Sequence, residues 1–229
     1  MRTVSIHQPG YLPWLGFFKK IMYSDVFVFL DNVKFVKRQW HNRNQIRTSD
    51  GTTLLTVPII AHSGENINEV KISYDETWNT NHKKKLFYNY NKTPYFEDYW
   101  NFFEELYSKK FETLLELNLE IINFFLKELQ IETKIIFSSE LGITEKKSDL
   151  NLSICKALDA EIYLSGIQGT NYLHEDDFKK NGIKVEFQNF QHPEYNQYYK
   201  PFIPNMASVD LLFNEGKKST QILEESKNF

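Results

Sequence analysis

The sequence predicts an α/β protein with one mostly parallel sheet, and three observations lead to that class. Short apolar runs alternate along the chain with segments in which apolar residues recur every three or four positions. The run at 25–31 is apolar between its two flanking aspartates, as in a strand that is covered on both faces. From 134 to 187 the predicted elements alternate strand, helix, strand, helix, strand, and such a series favours parallel pairing through right-handed crossovers.

The apolar patterning places the elements along the chain. The first strand ends at Gln8-Pro9-Gly10, and Pro94 marks the start of a helix, because the residue before a proline is pushed out of helical geometry. Strands are predicted at 3–6, 25–31, 52–57, 69–73, 134–137, 161–164 and 183–187, with 52–57 and 69–73 forming a pair. Helices are predicted at 15–23, over most of 78–129, and at 149–158, 171–181, 208–214 and 220–226. We expect one domain, 1–229, with a helical insertion at about 78–130.

Composition and charge narrow the classes of function. The chain has 229 residues, of which 41% are hydrophobic and 25% charged, as in a globular protein. Its formal net charge of -3 gives no overall attraction to nucleic acid or to an anionic membrane. No stretch approaches the ~20 apolar residues of a membrane span, and the polar start is unlike a secretory signal, so we expect a cytoplasmic protein. The single cysteine, Cys155, excludes an intrachain disulfide and is expected to be a buried structural thiol.

A first polar cluster lies between the first strand and the first helix. His7 and Gln8 are polar where the apolar strand stops, and this loop faces the edge at which open α/β sheets bind ligands. A helix that begins near Trp14 would offer free backbone N–H groups to an anion. The alternative is a proline-stiffened turn with Trp14 packed into the core. We interpret His7 as a general base, and Gln8 and Trp14 as substrate contacts.

A second cluster, directly after the apolar strand, combines cations with aromatic rings. Arginine binds phosphate or carboxylate through two parallel hydrogen bonds and stacks on flat rings, so the cluster suits an anionic ligand that carries a ring. A solvated basic loop is the alternative. Nucleic acid is disfavoured by the acidic remainder of the chain, with aminoacyl-tRNA as the one exception. The candidate substrate contacts are Lys37, Arg38, Trp40, Asn42, Arg43 and Asn44.

The remaining candidates lie in the second half of the chain. Ser165, Gly166 and Tyr172 belong to a polar, glycine-containing segment between a strand and a helix, which suits phosphate or sugar hydroxyls; an N-capped turn explains it equally well. Asp210 is a further candidate contact near the start of a helix. No metal site is expected, because the later histidines lack ligand spacing and surface positions are favoured for them. These histidines are His62, His82, His174 and His192.

Several motifs together resemble the WbqC-like family. They include Ser5-Ile6-His7-Gln8-Pro9, Leu12-Pro13-Trp14-Leu15-Gly16-Phe17 and Trp40-His41-Asn42-Arg43-Asn44. The likeness continues, in order, through 25–31, 55–58, 163–166, 172–173, 195–197, 202–205 and 208–216. Members of this family are associated with gene clusters for O-antigen and related surface glycans. The resemblance implies a role in surface-polysaccharide biosynthesis, with transfer of glycine or an acyl group to an amino sugar suggested for some members.

The opening of the chain is also similar in layout to the nucleotide-binding fold of pantothenate synthetase and the nucleotidylyltransferases. There a His-x-Gly-His motif after the first strand holds the phosphates of ATP. The corresponding segment here, Trp14-Leu15-Gly16-Phe17, keeps the glycine and replaces both histidines with aromatic residues. Lys37, Arg38 or Arg43 would have to supply the missing charge, so the likeness remains one of fold.

Two hypotheses of function follow. The first is a transferase or ligase that joins a small acyl or aminoacyl group to an amino sugar carried on a nucleotide. The second is a non-catalytic protein that binds or scaffolds a nucleotide sugar in the same pathway. The cofactor or donor stays open between ATP with a free acid, coenzyme A and an aminoacyl donor.

Overall fold

The computed structural model describes residues 1–228 and has a five-stranded parallel sheet at its centre. This confirms the predicted α/β class. The strands are β1 (Thr3–His7), β2 (Val26–Phe29), β3 (Arg43–Thr48), β4 (Gly51–Thr56), β5 (Ile59–Ile60), β6 (Lys71–Ile72), β7 (Lys134–Phe137), β8 (Ile162–Gly166) and β9 (Lys184–Gln188). The helices are α1 (Leu15–Met22), α2 (Trp78–Tyr90), α3 (Phe96–Ser108), α4 (Leu114–Glu128), α5 (Lys147–Ala157), α6 (Glu175–Lys180), α7 (Val209–Glu215) and α8 (Lys218–Glu225).

The central sheet has the strand order β7-β2-β1-β8-β9, so β1 is its middle strand. Every neighbouring pair in this sheet is parallel. All four residues of β2 are buried, as its uninterrupted apolar run predicts. The carboxyl ends of all five strands therefore meet at one edge of the sheet, and His7 is the last residue of the strand in the middle of that edge.

The two faces of the sheet pack against different cores. Phe27 and Phe29 on β2 face the larger core, which contains residues of α1, α2, α3, α4 and α7. Val26 and Val28 face the smaller core, formed mainly with α5 and α6. Strand residues alternate between faces, and Ser5 and His7 pair with Phe27 and Phe29, so His7 lies on the face of the larger core.

Three predictions about elements are wrong. Residues 52–57 do not pair with 69–73: β4 pairs with β3 in one hairpin, and β6 pairs with β5 in another. Residues 43–48, where no strand was predicted, form β3, and Gly51 closes the hairpin with a φ of 145°. The helix predicted at 171–181 is shorter, because Ile167–Asn171 forms a 3₁₀ turn and α6 begins only at Glu175.

The segment at 78–130 is helical, as predicted, and consists of α2, α3 and α4. Thr113 caps α4, since its hydroxyl accepts from the backbone N–H of Glu116 and the Glu116 side chain accepts from the N–H of Thr113. Among residues 1–228, no helix is both long and apolar enough to cross a membrane.

Candidate functional site

His7 presents an exposed imidazole at the carboxyl end of β1. Its Nδ1 lies 2.8 Å from the carbonyl oxygen of Gln8, and its ring makes an edge contact with Phe17 of α1 at 5.4 Å between centroids. Since a carbonyl can only accept, Nδ1 carries the proton in the neutral ring and Nε2 keeps a free lone pair. This is the form of histidine that can accept a proton from a substrate.

The protein around His7 favours the uncharged ring. Burial by surrounding protein, then the Lys20 ammonium, and to a smaller extent His41, lower the pKa of His7 from 6.5 to about 4, while the hydrogen bond to Gln8 opposes the shift. Part of the ring remains exposed to solvent, and the rest is packed against protein atoms such as those of Phe17. At neutral pH His7 is therefore uncharged.

His41 lies close enough to His7 to act on its charge. It is 5% exposed, its Nδ1 is 3.5 Å from the Pro9 carbonyl oxygen, and its backbone carbonyl accepts from the Asn118 amide at 2.9 Å. Its Nε2 is buried without a hydrogen-bond partner among the described residues, and burial lowers its pKa. His41 is thus a second neutral imidazole at this edge, with an unused ring nitrogen.

The structure brings the basic cluster against the His7 loop. The backbone N–H of Tyr11 donates to the Trp40 carbonyl at 3.2 Å, and a Cβ on Gly10 would lie 3.1 Å from the same oxygen. Lys37, Arg38 and Trp40 are exposed and, with Arg43, belong to the basic segment, residues 37–43. The Arg43 guanidinium donates to the Arg38 carbonyl. The first two sequence clusters therefore form one surface.

Asn42 and Asn44 have a different role from the substrate contacts that the sequence predicts. Asn44 is buried, and its amide donates to the carbonyl of Leu12 at 2.7 Å and of Tyr11 at 3.3 Å. Asn42 is also buried and donates to the Val57 carbonyl at 2.8 Å. Both amides are occupied by backbone carbonyls, so they hold the loops of the site in place.

Trp14 is not packed into the core, and 36% of it is exposed. One side of its indole covers Gly16, where an added Cβ would come within 2.5 Å of the ring, and its edge meets Phe190 at 5.4 Å between centroids. Gly16 is therefore required to seat the ring. The indole also covers the first turn of α1, where the sequence predicted free N–H groups for an anion.

Ser165 lies on the opposite face of the sheet from His7. Leu164 pairs with Ser5, so alternation places Ser165 on the face of the smaller core. Its hydroxyl packs against Gly169, where an added Cβ would lie 2.1 Å from the oxygen. Tyr172 is exposed, and its hydroxyl, 3.5 Å from the Asn151 amide nitrogen, accepts on that side too. Ser165, a candidate substrate contact in the sequence, therefore faces away from His7.

Gly166, by contrast, alternates onto the face of His7. A Cβ added to it would meet no described atom within 4 Å, so open space lies over its backbone. Gln8 is half-buried beside His7. Both residues remain candidate substrate contacts on the side of the general base.

Asp210 is buried with no exposed surface, which argues against direct substrate contact. Its carboxylate accepts from the hydroxyls of Tyr90 at 2.9 Å and Tyr195 at 2.6 Å and from the Gln197 amide at 2.7 Å. Burial raises its pKa, although these bonds and Arg47 oppose the shift. The network joins α2, β3 and the C-terminal segment, and its role is structural.

The other sequence candidates stay outside the site. Cys155 is buried, as predicted, and burial raises the pKa of its thiol to about 12. His82 was expected at the surface but is 4% exposed. Within the described chain, no group of three or more histidine, cysteine or acidic side chains could hold a metal ion.

Two surface hollows lie away from the carboxyl edge, one beside Lys19 and Glu224 and one beside Glu175 and Lys184.

Lys20 is the residue of this site that the sequence analysis missed. It lies on α1, is 2% exposed, and donates to the Ile6 carbonyl at 3.0 Å. The signal was present, because Lys19 and Lys20 interrupt an otherwise apolar helix, LGFFKKIM, that has to pack on the sheet.

Fold and site define an α/β protein with a parallel sheet and a neutral histidine beside a basic segment at the carboxyl edge. The chain belongs to the WbqC-like protein family, whose family model matches residues 8–222. It is similar to the uncharacterized protein Rv1507c of Mycobacterium tuberculosis, with 30% identity over 227 residues that cover 97% of this chain and 98% of that protein. No solved structure matches the chain.

Proposed function

We propose that this protein is a transferase or ligase that attaches a small acyl or aminoacyl group, such as glycine, to a nucleotide-linked amino sugar for surface polysaccharides. The observation that carries the proposal is the uncharged, exposed imidazole of His7 beside the basic segment at the carboxyl edge. The resemblance to surface-glycan proteins supplies the class of substrate. The exposed cations Lys37 and Arg38 support an anionic, nucleotide-bearing ligand.

In this reaction the amine of the sugar attacks the activated carbonyl carbon of the donor. A carbon–nitrogen bond forms, and the bond from the carbonyl carbon to its leaving group breaks. Nε2 of His7 accepts the proton that the nitrogen releases and passes it to the leaving group. Because Nδ1 is held by the Gln8 carbonyl, the ring presents the correct nitrogen without reorientation.

The basic segment would bind the nucleotide part of the substrate. Arg43 and Arg38, with Lys37, suit a diphosphate, and the exposed indoles of Trp14 and Trp40 suit a flat ring. Gly166 leaves open space beside His7 for the sugar. The aspartate and the serine predicted from the sequence have no part in this proposal.

The test begins with a thermal-shift screen of the purified protein against ATP, coenzyme A and a series of nucleotide sugars. A ligand that binds the folded protein raises the melting temperature by mass action. Each binder is then incubated with radiolabelled glycine or acetyl donors, and transfer to the sugar is followed. The proposal predicts a labelled sugar with the wild-type protein.

His7→Gln is the decisive variant for the chemical step. Glutamine can still form a hydrogen bond but cannot accept a proton at neutral pH, so binding should persist while turnover falls by about 10²–10⁴-fold. Calorimetric binding and transfer rates, measured on the same preparations, separate the two. A protein that binds a nucleotide sugar but consumes no acyl or aminoacyl donor would instead be the non-catalytic binding protein.

A further inference from the structure

Lys20 is a buried cation without an acidic partner among the described residues. Its ammonium lies under the carboxyl end of β1 and donates a hydrogen bond to the Ile6 carbonyl at 3.0 Å. The neighbouring Lys19 is different, because its ammonium donates to the carbonyls of Leu223 and Glu224 at the end of α8. Lys19 thus has two carbonyl acceptors, whereas Lys20 has one among the described residues.

Burying an unpaired ammonium is unfavourable, and the protein responds by weakening its charge. Burial lowers the pKa of Lys20 from 10.5 to about 7. A methionine of similar length would fill the same space without this cost. Groups whose pKa is strongly shifted by burial cluster at functional sites. Lys20 is such a group, and it lies beside His7, which we propose as the base.

The titratable groups that act on His7 come from two parts of the chain. Lys20 approaches from α1 and His41 from the segment before β3, while the Gln8 carbonyl holds Nδ1. Of the groups that act on His7, Lys20 is the one that still holds a proton, and with it a positive charge, in part of the molecules near pH 7. No carboxylate among the described residues contributes to the shift. Adding or removing the proton on Lys20 therefore changes the electrostatic environment of His7 directly.

We propose that Lys20 is a positioning residue: its ammonium, held on the Ile6 carbonyl, keeps His7 uncharged in the free protein, and an anionic group that binds beside His7 offsets this charge. The group is a phosphate or a carboxylate, the two anions that the proposed substrates carry. The bound anion offsets the Lys20 charge that lowers the pKa of His7, so the base becomes stronger only when the substrate is present. It also favours the protonated form of Lys20. The inference takes its ligand chemistry from the proposed function.

The experiment is an NMR titration of the His7 ring protons between pH 3 and 9, which involves no turnover. In the wild-type protein we expect two inflections, one from His7 itself near pH 4 and one near pH 7 from the proton on Lys20. Lys20→Met should remove the second inflection and raise the first by about one pH unit, because a positive neighbour has gone. Lys19→Met, on the same helix, is the matched control and should leave both inflections unchanged.

Two anions then test the response to a ligand. Sulfate, which does not titrate in this range, represents phosphate, and acetate represents carboxylate. The effective anion should move the inflection near pH 7 upward in the wild-type protein and not in Lys20→Met. The anion that moves this inflection shows whether the site binds a phosphate or a carboxylate.

A wild-type curve without the inflection near pH 7 would overturn the inference, and this measurement needs no variant to fold. Persistence of that inflection in Lys20→Met would assign it to His41 or another group and would overturn it as well. If neither sulfate nor acetate moved the inflection near pH 7, the proposed coupling between anion binding and the proton on Lys20 would be wrong. None of these results depends on whether transfer to an amino sugar is detected, so the two proposals can fail separately.

Discussion

His7 owes its proposed chemistry to its immediate neighbours. The Gln8 carbonyl fixes its tautomer, Phe17 supports its ring, and Lys20 and His41 favour its neutral form. Gln8, Phe17 and Lys20 follow β1 closely in the sequence, and His41 lies in the basic segment. The base is therefore positioned by packing around a rigid strand end, which keeps its orientation constant before substrate binds.

Arg43→Lys tests the basic segment at the level of one side chain. Lysine keeps the positive charge but loses the planar fork, so a two-point contact with a diphosphate becomes a single point charge. We expect binding of a nucleotide sugar to weaken by about 1–3 kcal/mol, measured by calorimetry.

The same substitution at Arg2, beside the opposite edge of the sheet, is its control and should leave affinity unchanged. Equal affinities of Arg43→Lys and the wild type would place the diphosphate elsewhere.

Two elements meet to form the site: the loop between β1 and α1, and the β3–β4 hairpin. Leu12 adopts a left-handed φ of 44°, which is unfavourable for a branched side chain, and the Asn44 amide holds its carbonyl and that of Tyr11. The hairpin thus fixes the conformation of the loop that follows His7. Asn44 therefore binds backbone carbonyls, and the exposed residues near it are the ones that can contact the substrate.

Asn44→Ala should remove this anchor. It leaves two carbonyls in a buried region without their donor, so we expect the free energy of unfolding to fall by about 1–3 kcal/mol in urea denaturation. Asn101→Ala, on the exposed side of α3, replaces an amide whose one hydrogen bond among the described residues is to Glu105, and it should change stability little. Similar losses in the two variants would show that Asn44 does not anchor the loop.

At the scale of the whole molecule, the sequence predicted the central sheet well because its strands are buried. An apolar run such as Val26–Phe29 identifies a buried strand without information from the rest of the chain. The alternation of strands and helices after residue 134 predicts the parallel pairing. The β3–β4 hairpin was missed because its buried positions include Asn44 and Arg47. Polar residues buried by tertiary hydrogen bonds look, in sequence, like a solvated loop.

The site was predictable only in part, for a related reason. The ends of parallel strands indicate which loops face one edge, and His7 and the basic segment were found in that way. The face on which a side chain lies depends on the register between strands distant in sequence, so the sequence could not show that Ser165 faces away from His7. The burial of Lys20 and Asp210 likewise depends on tertiary packing, which no local pattern encodes.

The helical segment at 78–130 is tied to the His7 loop through His82. The Tyr11 hydroxyl lies 2.8 Å from Nδ1 of His82 on α2 and 2.5 Å from the Tyr107 hydroxyl on α3. Burial, followed by the charge of Lys85, lowers the pKa of His82 from 6.5 to about 3. This buried link should make the stability of the molecule sensitive to acid.

The sign follows from the two protonation states. Between pH 6.5 and about 3 the unfolded chain binds a proton at His82 that the folded protein does not, so stability is lost as the pH falls through this window. His82→Gln can keep a hydrogen bond to Tyr11 but cannot be protonated. Urea unfolding at pH 7, 5.5 and 4.5 should show the wild type losing up to about 1.4 kcal/mol per pH unit more than the variant. His7 is present in both proteins, so its contribution cancels, and His174→Gln on the surface controls for the substitution itself. Parallel pH profiles for the wild type and His82→Gln would mean that His82 takes up its proton in the folded protein, and that the link between the helices and the His7 loop opens in acid without unfolding.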